Sequence, residues 1–201
     1  GTLVGCVNAS DVKAEEPASV SSAAPATKAS TTSAGTTTGS SAGATSAAST
    51  AADTNTELTS SQVSVTIDGK STPLSGAYVV DGIDAVIDGG TYSSPTADQA
   101  VFLVVNGGSL TIRNAEITKS GDTSDEEQSN FYGFNSAVLV VGEGSNVTVE
   151  NTTITTQSSG SNGVVATGGA TATVQQTTIE THANSSRGLH ATYQGTITGE
   201  N

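Results

Sequence analysis

Tryptophan and methionine are missing from this chain, aromatic residues make up only 3% of it, and a single cysteine stands at position 6. A core without large side chains must be filled by Val, Ile, Leu and Ala, which suits a narrow interior built from short strands. One cysteine cannot make an internal disulfide. Basic residues are scarce as well: 6 Lys and Arg stand against 19 Asp and Glu, a formal net charge of −13. That balance repels nucleic acid and anionic headgroups, so DNA and RNA are excluded as partners. No run approaches the roughly 18 apolar residues of a membrane-spanning helix.

What the sequence does have is one motif written more than once. Val147-Thr-Val149-Glu-Asn151-Thr-Thr-Ile154 returns as Ala172-Thr-Val174-Gln-Gln176-Thr-Thr-Ile179, a step of 25 residues. A third copy, Leu110-Thr-Ile112-Arg-Asn114-Ala-Glu-Ile117, lies 37 residues upstream of the first, which is one period plus an insertion of 12. A period of this length is the mark of a solenoid, in which each unit buries its apolar face only against its neighbours. Within a unit, apolar residues alternate with Thr, so the local structure is strand and not helix. Three short runs per unit, for example 137–141, 146–149 and 153–155, make one triangular coil. The expected coils are residues 84–95, 100–119, 136–156, 162–181 and a partial fifth from Arg187.

Stacking such coils in register produces columns. Ile112, Val149 and Val174 form one inward column, and Ile117, Ile154 and Ile179 another. Asn114, Asn151 and Gln176 form a third at the bend between second and third strands, where amide side chains can satisfy turn backbone. In coil length, aliphatic columns and an asparagine ladder at a bend, residues 84–201 resemble the right-handed parallel β-helix family of pectate lyases, polygalacturonases and bacterial surface adhesins. The resemblance implies an all-β, right-handed parallel β-helix. It is a likeness of fold and transfers no activity by itself.

The N-terminal part reads differently. Leu3-Val4-Gly5-Cys6 looks like the lipobox of bacterial lipoproteins, which implies a signal peptide cut before Cys6 and a lipid carried on its thiol; residues 1–6 would then be the remnant of that signal segment. Residues 7–62 follow as a linker, dominated from Ala18 to Ala52 by Ala, Ser and Thr with Lys28 as the one charge. Such a stretch buries too little to offset its ordering entropy and is expected to be a disordered tether, holding the folded part about 30–40 Å from a bilayer. Residues 63–83, with Val63-Ser-Val65-Thr-Ile67 before Asp68-Gly69, are expected to cap the first coil.

The 12-residue insertion falls between the second and third coils, around residues 120–134, and insertions in solenoids map to loops that carry function. It holds the carboxylates Asp122, Asp125, Glu126 and Glu127, candidate Ca²⁺ ligands in a spacing that lacks the alternating order of known calcium loops. It also gathers Phe131, Tyr132 and Phe134, three of the chain's seven aromatic residues, as a candidate binding loop for sugar rings or as packing groups. No lyase-like set of Asp, Arg and Lys appears. His182, Arg187 and His190 with Glu180 form the one drawable acid/base set, and their spacing demands no reaction.

Outward Thr columns beside the Ile column read Glu116, Thr153, Thr178 and Thr118, Thr155, Glu180, so carboxylates interrupt a Thr array of the ice-binding kind. The expected function is therefore a lipid-anchored β-helix on the outer face of a bacterial membrane or cell surface, adhesin-like, with no cofactor, binding glycans or surface proteins without catalysis. The alternative is a polysaccharide lyase or glycoside hydrolase with catalytic coils beyond residue 201. Because the fifth coil lacks its third strand, the sequence reads as truncated at its C-terminus, with end-to-end self-association expected of the exposed edge.

Overall fold

The computed structural model describes residues 55–200. The lipobox residues Leu3, Val4, Gly5 and Cys6, and the linker up to residue 54, lie outside the described residues. The first element is an antiparallel hairpin, β1 (Ser61–Ile67) against the first half of β2 (Lys70–Asp81). Its turn, Asp68-Gly69, has both residues at positive φ, 49° and 73°, matching the twist of the flanking strands.

From Ser75 onward β2 pairs with the next coil as the first strand of a parallel solenoid, and its pairing with β1 ends at Gly76. The first coil continues through β3 (Asp84–Asp88) and β4 (Thr91–Ser94), and the second contains β5 (Gln99–Val105), β6 (Ser109–Arg113) and β7 (Glu116–Lys119). A short helix, α1 (Glu126–Tyr132), intervenes. The third coil is β8 (Val138–Val141), β9 (Asn146–Glu150) and β10 (Thr153–Thr156), and the fourth β11 (Val164–Thr167), β12 (Thr171–Gln175) and β13 (Thr178–Thr181). β14 (Leu189–Ala191) and β15 (Thr196–Glu200) belong to the fifth. Three sheets result: A in the order β1-β2-β5-β8-β11-β14, B in the order β15-β12-β9-β6-β3, and C in the order β13-β10-β7-β4. The coils stack as a parallel β-helix of about five turns.

The columns are in the expected register. Ile87, Ile112, Val149 and Val174 pair in sequence along sheet B, and Tyr92, Ile117, Ile154 and Ile179 along sheet C. Asn114, Asn151 and Gln176 all adopt left-handed backbone, φ 57°, 45° and 47°, which Asn tolerates better than most residues. The two Asn amides bond along the column: Asn151 Nδ2 donates to Asn114 Oδ1 and Asn114 Nδ2 to Asp88 Oδ1, both at 2.7 Å. The turn backbone is served by backbone, as when Asn151 N–H donates to the Gln175 carbonyl at 3.2 Å. The amide ladder therefore ties coil to coil, and the expectation that it serves the turns is corrected on that point.

The central strands of sheet A, β5, β8 and β11, are buried on both faces, and this moves the expected cap. Phe102, Val104, Val138, Val140 and Val164 face the solenoid interior, while Leu103, Val105, Leu139, Val141 and Val165 face a second apolar cluster outside it. Strands covered on both sides read as unbroken apolar runs, as 101–105 and 138–141 do. The β1–β2 hairpin lays Val65, Ile67 and Leu74 over that outer face. It covers a side of the solenoid, and Ala77 to Val80 form the first coil's own strand. The end of the first coil is dressed by residues assigned above to the linker: Thr56 N–H donates to the Val86 carbonyl at 2.9 Å, Asn55 Oδ1 accepts from Asp88 N–H at 2.7 Å, and Leu58 packs on the core.

Candidate functional site beside the inserted helix

The insertion, read above as an irregular loop, contains α1, whose ends carry strong local signals. Asp125 is its N-cap, with extended backbone and a carboxylate that accepts from Gln128 N–H at 3.0 Å; Gly133 closes it at φ 74° and donates its N–H to the Ser129 carbonyl. Glu126 and Glu127 sit in the first turn, where the helix dipole favours negative charge. Two turns of helix do not stand alone in water. Tertiary contacts hold them: Ser129 Oγ donates to the Gly160 carbonyl, Arg187 Nη1 to Asn130 Oδ1 at 2.6 Å, and Thr192 Oγ1 to the Phe131 carbonyl at 2.8 Å. His190 Nε2 meets the Asn130 carbonyl at 2.7 Å, and since a carbonyl only accepts, that nitrogen carries the proton.

The base of the insertion is fastened by Asp98, a residue the sequence did not single out. Its carboxylate accepts from Thr123 Oγ1 at 2.8 Å, from Ser124 N–H at 3.0 Å and from Ser124 Oγ. Burial pushes this carboxyl up, but the hydrogen bonds from Ser124 and Thr123 and the charge of Lys119 outweigh it and hold the group below the ordinary value.

The four acidic candidates are distributed among structural tasks. Asp122 accepts from Ser159 N–H at 2.9 Å, Asp125 caps the helix, Glu126 accepts from Ser185 Oγ at 3.4 Å, and Glu127 lines a depression on the helix flank. Among the described residues no three His, Cys, Asp or Glu side chains are grouped to hold a metal ion. The acid/base set is also divided: His182 pairs with Glu180 at 3.5 Å, whereas Arg187 and His190 are both engaged by Asn130.

The aromatic residues converge with a fourth from another coil. Tyr132 stacks on Tyr193 with centroids 5.6 Å apart and planes 13° from parallel; Phe131 lies 6.5 Å from Tyr193 and Phe134 5.9 Å from Tyr132. Tyr132, Phe134 and Tyr193 also pack on the outer apolar cluster, while Phe131 is 49% exposed. The Lys70 ammonium stands 5.9 Å from the Tyr132 ring centre, from the hairpin side. A hydrogen bond with Tyr132 raises the Tyr193 phenol above its ordinary value. Tyr193 occupies a turn at φ 42°, one period beyond Gly168, and an aromatic residue at a glycine position of the previous coil was its available signal.

Between the helix and the hairpin two depressions of about 320 and 540 Å³ adjoin, both lined by Lys70 and Gln128. The first presents Glu127, Phe131, Tyr132 and Tyr193; the second runs past Phe134 toward Ser75, Asp98 and Ser124. The result is an open groove with aromatic surface at one end and amide, hydroxyl and carboxylate groups along it.

No protein-family model, curated protein or solved structure matches this chain. Among the described residues no helix is long and apolar enough to cross a membrane.

Proposed function

We propose that the protein is a lipid-anchored β-helix of the bacterial cell surface, adhesin-like, which binds neutral glycan in the groove beside α1 without turning it over. The observation that supports this reading is the juxtaposition of Phe131, Tyr132 and Tyr193 with Lys70, Glu127 and Gln128. Aromatic faces offer flat apolar area for the C–H faces of sugar rings, and a rim of fixed donors and acceptors suits their hydroxyls. The net charge of −13 disfavours polyanionic chains. Anchoring rests on the lipobox likeness at Cys6.

The test is an array of neutral oligosaccharides followed by titration of the best ligand. Phe131→Ala and Tyr193→Ala are each expected to weaken binding about tenfold, with no bond cleavage in the wild type. Absence of binding to any neutral glycan sinks the glycan reading, and release of unsaturated uronides would point to the lyase alternative. Replacing Cys6 by Ala is expected to release the protein from membranes, since one lipid-modified residue would be its hydrophobic attachment; a variant that still sediments with membranes refutes the anchor.

One observation supports a second reading, ice binding. The columns on sheet C are interrupted as expected, but on the outward face of sheet B Thr111, Thr148, Thr173 and Thr198 pair in succession after Val86, flanked on one side by Ser109, Asn146, Thr171 and Thr196 and on the other by Arg113, Glu150, Gln175 and Glu200. A regular hydroxyl and methyl array is the surface such binding needs. Thermal hysteresis that disappears in Thr148→Lys would support it, and its absence in the wild type would remove it.

A further inference from the structure

Lys119 ends β7 with its side chain inside the solenoid, fully buried. The coils on either side place Ser94 and Thr156 at the same register position, so the fold does not require a cation there. Its Nζ donates to the carbonyls of Thr96 at 2.9 Å, of Ser94 and Gly121 at 3.4 Å, and of Ser120. Asn135, equally buried, donates from Nδ2 to the same Gly121 oxygen at 2.7 Å and to Ser161 Oγ at 2.9 Å. Its Oδ1 accepts from the backbone N–H of Asp98 at 2.9 Å. An amine and a primary carboxamide are thus gathered around one carbonyl oxygen, shielded from water, with the amide oxygen already polarised by a backbone donor.

We infer that Lys119 and Asn135 join in an intramolecular isopeptide bond. The reaction draws Nζ past the Gly121 oxygen that both nitrogens share, and its lone pair attacks Cγ of Asn135. The Asp98 N–H on Oδ1 stabilises the oxyanion that develops. The proton lost by Nζ passes to Nδ2, the two nitrogens facing the same Gly121 carbonyl oxygen. The Cγ–Nδ2 bond breaks, ammonia leaves, and an Nζ–Cγ amide remains; no electrons are exchanged and no co-reactant is consumed. Burial holds the Lys119 amine down at about 8, so its neutral, nucleophilic form is populated near neutral pH. Burial of both partners around one carbonyl oxygen supplies the proximity that free amide and amine lack. The product keeps one N–H for the surrounding carbonyls, removes a buried charge, and staples β7 to the chain entering β8, closing the base of the insertion that carries the groove.

Intact mass spectrometry of the denatured full chain tests this directly. The expected mass lies one ammonia below that of the sequence, and after cleavage at Glu126 and Glu127 the segments containing Lys119 and Asn135 remain joined as a branched peptide. Lys119→Arg, which keeps a cation and several donors, and Asn135→Ala are each expected to restore the full mass. The wild-type peptide map decides the matter even where a variant fails to fold. Full sequence mass in the wild type overturns the inference and leaves Lys119 as an ionic staple; so does a loss of ammonia without a branched peptide, as succinimide formation at the exposed Asn106-Gly107 turn would give.

Discussion

Arg187 donates to Asn130 Oδ1 at 2.6 Å, which ties the helix inserted after the second coil to the start of the fifth. His190 adds a bond to the Asn130 carbonyl, and Tyr132 on Tyr193 adds a stacked ring pair. The insertion is therefore laid along the solenoid rather than projecting from it. Its aromatic residues are positioned by coils that lie far away in sequence.

Asn130→Ala removes the acceptor of Arg187 while leaving the carbonyl bond to His190. The expected cost is about 1–2 kcal/mol, confined to local opening of α1. Amide exchange in residues 126–132 should accelerate roughly tenfold, with β9 and β12 unchanged. Exchange that stays at the wild-type rate would show that the outer apolar cluster alone docks the helix.

The interior allows a sharper test. Ile154 is fully buried between Ile117 and Ile179. Ile154→Ala should cost about 2–5 kcal/mol through lost burial and a cavity, and Ile154→Asp should leave no folded array, because it places an unpaired charge among aliphatic side chains. Thermal melts followed by β-sheet circular dichroism check both. An Asp variant that melts like the wild type would mean the column is not load-carrying core.

The strands and their register were legible because a solenoid repeats its own evidence: Ile117, Ile154 and Ile179 each confirm the others at a fixed step. The groove was legible only in part. Phe131, Tyr132 and Phe134 stood out as a cluster, but Tyr193 and Lys70 reach them through long-range packing that no local pattern encodes. The helix was hidden because seven residues carry too little periodicity, although Asp125 and Gly133 sit at the capping positions a short helix would use. The hairpin was misplaced for a different reason. Alternation in Val63, Val65 and Ile67 says that one face is buried, and it does not say against which surface; the unbroken runs 101–105 and 138–141 held that information.

At the bend, two contributions of Asn151 can be separated. Its left-handed backbone, φ 45°, and its bond to Asn114 are both lost to Ala, whereas Gly retains the conformation and loses only the amide bond. Asn151→Ala should destabilise by about 2 kcal/mol and Asn151→Gly by about 1 kcal/mol, read from denaturant midpoints. Equal losses would show that the ladder, not the backbone, selects Asn here.

Asp98 gives the fold a dependence on acid whose sign is fixed by its partners. Burial alone would raise its carboxyl, yet the bonds from Ser124 and Thr123 keep the folded value below the ordinary 3.8. Between those two values the unfolded chain binds more protons than the folded one, so stability rises with pH across that window. The contribution is complete above about pH 4 and is lost as pH falls through the folded value. Asp88, held low by Asn114 and Arg113, acts in the same direction, so acid sensitivity of the wild type alone does not isolate Asp98. The difference between wild type and Asp98→Asn does. At pH 7 the variant should be less stable by about 1–2 kcal/mol, the worth of hydrogen bonds to a charged acceptor, and the gap should narrow as pH drops below 3.8. Denaturation curves at pH 7 and in the acid range measure it, and a gap that is constant with pH would show that the carboxylate is not held in its ionised form by the insertion.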